Sequence, residues 1–117
     1  MFFAMNNIRY EIREVTQEEY KKYRKEEDNN TNCQETDTTT GIYFGATHCY
    51  QNIIFLDINL PYDRKRRTLI HELTHCYISE YITHENKMFS EEEVADICAN
   101  SNEIINNLVS DYFSGVD

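Results

Sequence analysis

Tryptophan is absent from the 117-residue chain, and basic residues are outnumbered by acidic ones, 11 against 21. No two of the four cysteines stand in a C-x-x-C arrangement, and no stretch approaches the roughly 20 consecutive apolar residues of a membrane-crossing helix. Each shortage excludes something. Without C-x-x-C, cysteine-only zinc ribbons and thioredoxin-like redox chemistry are disfavoured. A formal charge of −10 repels phosphate backbones and anionic membranes, so neither direct nucleic-acid binding nor a membrane role is expected. Residues 1–5 have neither the basic start nor the length of a signal peptide. The expected compartment is therefore the cytoplasm, where Cys33, Cys49, Cys76 and Cys98 remain free thiols.

What is present describes one folded domain spanning residues 1–117. Hydrophobic residues make up 40% of the chain, with nine Tyr and six Phe, enough for a single modest core. Residues 8–15 alternate as a strand does, and Thr16-Gln17-Glu18-Glu19 forms a capping box that opens a short helix through Tyr20, Tyr23 and Arg24. Residues 26–40 are almost wholly polar and are expected to be a flexible loop. Residues 41–47 and 52–58 are rich in Ile, Tyr and Phe and predict a hairpin or two neighbouring strands.

Pro61 or Asp63 then opens a helix whose apolar positions are Leu69, Ile70, Leu73, Cys76, Tyr77 and Tyr81, about five turns and the longest expected. After a polar connection over residues 83–89, Ser90-Glu91-Glu92-Glu93 is a second capping box. It opens a helix running to about Tyr112, with Val94, Ile97, Cys98, Ile104, Ile105, Leu108 and Tyr112 as its apolar positions. Cys76 and Cys98 read as buried thiols. No internal repeat is visible, and the order strand, helix, strands, helix, helix predicts an α+β fold.

The chemistry resides in His71-Glu72-Leu73-Thr74-His75, an H-E-x-x-H motif inside the longer predicted helix. Four residues of helix leave the two histidines about 40° apart on one face, so both can converge on one metal ion. Glu72 stands next to the first of them, where it can take a proton from a water bound to that metal. Both histidines fall off the Leu69/Leu73/Tyr77 stripe, where a core histidine would be less expected.

Catalytic zinc takes three protein ligands, and two histidines leave one to find. Ile78 stands where the metzincin pattern has glycine, and no histidine follows His84, so that pattern fails. A carboxylate from the last helix is the remaining source. Glu93 occupies the position that reaches back to the Ser90 cap, which leaves Glu92. Glu92 shares a face with Ala95, Asp96 and Ala99, whose small alanines would admit a close approach to the His71 helix, with Asp96 then bracing a liganded imidazole. The heavier stripe of Val94, Ile97 and Leu108 points nearly opposite, so on this reading the helix is covered on two sides.

Thr68-Leu69-Ile70-His71-Glu72-Leu73-Thr74-His75, followed by Glu92-Glu93-Val94-Ala95-Asp96-Ile97-Cys98-Ala99, resembles the ImmA/IrrE metallopeptidases, above all their small phage and mobile-element members. Leu60-Pro61-Tyr62-Asp63-Arg64-Lys65-Arg66-Arg67 and the strand before it fit the same pattern, and the likeness covers about residues 41–105. The resemblance implies a zincin-like fold in which a small sheet packs on the motif helix and a second, C-terminal helix. It implies Zn²⁺ held by His71, His75 and Glu92, with Glu72 as catalytic base. It also implies a protein substrate, commonly a helix-turn-helix repressor of a mobile element. Cys98 stands where an aromatic is common in that family.

The alternative is a non-proteolytic interaction module that keeps zinc as a structural staple, a sensible device in so small a domain. Arg64-Lys65-Arg66-Arg67 reads as a solvated helix face. His48, His84, Tyr43 and Tyr81 are the polar candidates for stabilising a transition state.

Overall fold

The computed structural model describes residues 1–30, 45–48, 51–82 and 88–115. Seven elements follow in chain order: β1 (Phe2–Met5), β2 (Ile8–Val15), α1 (Gln17–Asn30), β3 (Gly45–His48), β4 (Ile53–Asp57), α2 (Tyr62–Tyr81) and α3 (Glu91–Ser114). The fold is α+β, as expected, with the strands in one mixed sheet of order β1-β2-β4-β3. β1 and β2 pair antiparallel, β2 and β4 parallel, and β3 and β4 antiparallel.

β1 is a strand that the sequence reading does not anticipate. It arises from Asn6 and Asn7, whose φ angles of 54° and 65° make the two-residue turn between paired Met5 and Ile8. Asparagine tolerates that left-handed conformation, and its twist suits a hairpin. β4 lies inside the sheet and is covered on both faces, so Ile53, Ile54, Phe55 and Leu56 are all buried. A central strand of this kind reads as a continuous apolar run. Alternation sends Ile54 and Leu56 to one core, with Tyr10, Ile12, Leu69, Leu73 and Cys76. Ile53 and Phe55 go to the opposite face, where Tyr20 and Tyr23 of α1 cover them beside Val15.

α1 starts as its capping box predicts, Thr16 Oγ1 accepting from Glu19 N–H while Glu19 accepts from Thr16 N–H. It continues to Asn30, through residues 26–30 that the sequence reading assigns to a loop; once nucleated, each further residue adds a backbone hydrogen bond even to a polar run. The rest of that expected loop lies outside the described residues, as do residues 41–44 of the first predicted hairpin strand and residues 83–87 of the polar connection.

α2 opens after Pro61, whose φ of −64° is preset for a helix entry. α3 carries the full capping box between Ser90 and Glu93 and ends at Gly115, whose φ of 78° is the left-handed cap that glycine adopts without strain. At 24 residues α3 is longer than α2 at 20, reversing the expected order. The ring contact of Tyr62 with Phe113 and the shared cavity of Tyr77 and Ile97 show the two helices antiparallel. No described helix is long and apolar enough to cross a membrane.

Two expectations about α3 are corrected. Its buried line is Ile97, Ser101, Ile105 and Val109, one residue per four, whereas Val94 and Ile104 are exposed and so is Cys98. A helix packed along one side can cover only one stripe, and the i, i+4 line from Ile97 wins because it packs on α2 and joins the same core. Lys65 also departs from the solvated face expected of it. It is half-buried and ion-paired with Glu14, whose second oxygen accepts from the Tyr112 hydroxyl. β2, α2 and α3 are thereby joined at one carboxylate.

Ile97→Ala is expected to lower unfolding free energy by about 2–5 kcal/mol and Val94→Ala by less than about 1 kcal/mol, which urea midpoints will read. Burial and the Glu14 contact raise the Tyr112 phenol above its ordinary value, so folding favours the neutral form. That contribution is complete below the unfolded phenol pKa of about 10 and is lost as pH rises through the folded value. Tyr112→Phe is expected to flatten the alkaline loss of stability above about pH 10, measured by denaturation as a function of pH.

Candidate active site

The rotation of α2 about its own axis decides what the H-E-x-x-H side chains can do. Leu69, Leu73 and Cys76 have no exposed surface and seat one face of α2 on the sheet. At about 100° per residue, His71 falls roughly 200° from Leu69, on the opposite side. Both His71 and His75 are exposed there, off the apolar stripe as the spacing predicts. Their Nε2 atoms stand 3.2 Å apart and their rings meet edge to face at 4.9 Å.

Glu72 behaves differently from the histidines flanking it. It is buried, 6% exposed, on the side of α2 that meets β3. Its Oε2 accepts a hydrogen bond of 2.5 Å from the Thr47 hydroxyl. β3 can lie this close because Gly45 has no side chain: a Cβ there would stand 2.6 Å from Thr68 Cγ2 and 3.4 Å from Glu72 Cγ. Thr74, the other polar residue of the motif, donates its hydroxyl back to the Ile70 carbonyl at 2.8 Å and so stays on its own helix.

Two imidazole nitrogens bound to tetrahedral zinc at about 2.0–2.1 Å lie about 3.4 Å from one another. The 3.2 Å separation of the Nε2 atoms fits that requirement, and neutral imidazole is a ligand zinc accepts readily. Among the described residues, however, no group of three or more His, Cys, Asp or Glu gathers closely enough to hold an ion. The histidine pair fits, and among the described residues no third ligand joins it.

Glu92, expected as that third ligand, is exposed at the start of α3. Glu93 makes the capping contact expected of it, accepting from Ser90 N–H at 3.1 Å. Asp96 lines a cavity of about 200 Å³ with Tyr77, Ile82, Phe89, Glu93, Ile97 and Asn100. Ala95 and Ala99 are exposed, so the close approach expected through these alanines is not the one seen; the larger apolar residues, Ile97 and Ile105, take the contact because they remove more surface from water.

Of the polar candidates, Tyr81 accepts from Asn6 N–H at 2.9 Å and stacks near Tyr77. It ties the β1–β2 turn to the end of α2 and is not turned to the histidines. Tyr43, His84 and the side chain of His48 lie outside the described residues, as do Cys33 and Cys49. Thr47 and Gly45 are the contacts of Glu72 that the sequence reading misses. The available signal was their period-two spacing, which puts both on one face of a strand, but nothing local says that this face meets Glu72.

The IrrE N-terminal-like domain family of M78 peptidases matches residues 32–108. No curated protein and no solved structure matches the chain.

If the paired imidazoles are ligands, the purified protein is expected to carry about one zinc per chain, and His71→Ala or His75→Ala to lose it. Elemental analysis of the three proteins checks this. Unchanged zinc content in both variants would sink the assignment.

Proposed function

The chain belongs to the IrrE N-terminal-like domain family of M78 peptidases, and we propose that it is a zinc-dependent endopeptidase that cuts a regulatory protein. The observation that carries this reading is the 3.2 Å approach of His71 Nε2 and His75 Nε2 beside a buried carboxylate on the same turn of helix. In this reading the fold is zincin-like, and His71, His75 and Glu92 hold the ion. Glu92 is preferred to Glu93 because Glu93 is engaged with the Ser90 cap. Ligation by Glu92 then requires the first turn of α3 to close toward the histidine pair. Asp96 is the proposed brace for a liganded imidazole once that turn has moved.

Bound zinc supplies a Lewis acid for the scissile carbonyl and lowers the pKa of water. The chain's own contribution is proton transfer. Glu72 takes a proton from the attacking water and later delivers it to the leaving amine, the general acid–base role. Because Thr47 engages Oε2, the proton travels through Oε1. Burial of Glu72 holds it ready on one side of the pair while the histidines stay open to a substrate.

For the substrate we propose a protein of the helix-turn-helix repressor type encoded by a mobile element, and for the compartment the cytoplasm. No direct contact with nucleic acid is proposed, since the net charge of −10 opposes it.

Glu72→Gln is expected to keep fold and zinc while lowering cleavage by at least about 10²-fold, followed as fragmentation of a repressor-type protein with chelated wild type as control. Binding of that protein, equal for wild type and Glu72→Gln and without fragmentation, would replace the enzyme by a zinc-stabilised interaction module. Glu92→Gln is expected to weaken zinc binding far more than Glu93→Gln, whose lost cap costs about 1 kcal/mol of stability. Zinc titration of both variants decides between them.

A further inference from the structure

We propose that β3 positions the catalytic base: Thr47 fixes the direction of the Glu72 carboxylate by a hydrogen bond, and Gly45 gives the strand the clearance to make it. The geometry stands by itself, and its consequence for turnover rests on the peptidase reading.

A glutamate projecting from a helix has three rotatable side-chain bonds, and α2 alone does not select among their staggered states. Burial makes the choice costly unless a partner is present, because a carboxylate removed from water must be hydrogen-bonded. Thr47 supplies the donor at 2.5 Å. Its hydroxyl also lies 3.5 Å from the Glu72 carbonyl oxygen, but it has one proton to donate, and the shorter contact to a charged oxygen takes it.

The threonine is itself held in place. It pairs with Ile54 in the β3–β4 ladder, and its branched Cβ restricts χ1, so the hydroxyl direction follows from the strand. Two residues earlier on the same face, any side chain at Gly45 would collide with Thr68 Cγ2 at 2.6 Å and crowd the Phe55 carbonyl at 3.1 Å. That collision would lift β3 from α2 and lengthen the Thr47 contact. Gly45 and Thr47 therefore act together, and a hydroxyl holds the carboxylate without placing a competing cation beside the histidines.

The test uses the zinc-loaded 117-residue chain with fluorescein-labelled casein as probe, comparing wild type, Thr47→Val, Thr47→Ser and Gly45→Ala. A second measurement, independent of turnover, follows the Glu72 side-chain carboxyl signal by carbon NMR, assigned through its loss in Glu72→Gln. Thr47→Val is expected to lower kcat by about tenfold or more with KM and zinc content unchanged, and to move the carboxyl signal. Thr47→Ser, which keeps the donor, is expected to restore both, and Gly45→Ala to resemble Thr47→Val. If Thr47→Val does not fold, Thr47→Ala takes its place.

Wild-type kcat with an unmoved signal in Thr47→Val overturns the proposal, as does a Thr47→Ser variant as impaired as valine, which would mean that packing alone matters. Should wild type and Glu72→Gln be equally active on casein, or equally inactive on both casein and a repressor-type protein, the peptidase reading is what fails. The carboxyl signal then decides the positioning by itself: moved by valine and restored by serine supports it, and unmoved by valine overturns it.

Discussion

The seating of one face of α2 on the sheet is the constraint on which the rest of this structure depends. Leu69, Leu73 and Cys76 are completely buried against Tyr10, Ile12, Ile54 and Leu56. Turning the helix by one residue, about 100°, would expose that stripe and drive His71 toward the core. Packing an interior at crystal-like density leaves little freedom for such rotation. The histidines are thus presented to solvent, and Glu72 to β3, by apolar contacts that none of the three makes.

Position along the helix axis is set by polar ties at both ends. Near the start of α2, Lys65 pairs with Glu14 of β2, and the same carboxylate receives the Tyr112 hydroxyl from the last turns of α3. Near the end, Glu80 accepts from Tyr10, its carbonyl accepts from the Asn6 side chain at 3.0 Å, and Tyr81 accepts from Asn6 N–H. Polar contacts of this kind have directions, which apolar packing lacks, so they define where along the sheet the helix stops. The chain belongs to an M78 peptidase family, and in the proposed reading this placement has a use: a base and two metal-binding nitrogens would need fixed mutual geometry more than a large domain.

Cover on the far face of the sheet completes the arrangement. Tyr20 and Tyr23 of α1 pack on Phe55, with ring centroids at 5.2 and 4.6 Å, so β4 is enclosed from both sides. Its backbone carries β3 in antiparallel register, and β3 in turn carries Thr47 to Glu72. A chain of contacts therefore runs from α1 through the sheet to the motif helix.

Local features of this protein are legible in its sequence because local chemistry causes them. The strand alternation of residues 8–15, the two capping boxes, the entry of α2 at Pro61 and the common face of His71 and His75 depend on covalent geometry and on neighbours within four residues. The H-E-x-x-H spacing alone points to the chemistry of the site. Which stripe of α3 meets α2 is another matter. Glu92, Ala95, Asp96 and Ala99 form as regular a face as Ile97, Ser101, Ile105 and Val109, and only docking against a partner surface selects the second. The same holds for Cys98, exposed although its apolar neighbours suggested burial, and for Lys65, drawn into an ion pair by a glutamate 51 positions away. Thr47 and Glu72 are separated by 25 residues and belong to different elements, so their meeting exists only once β3 has packed on α2. Periodicity is a property of the chain, whereas the choice between two equally periodic faces belongs to the surface each one finds.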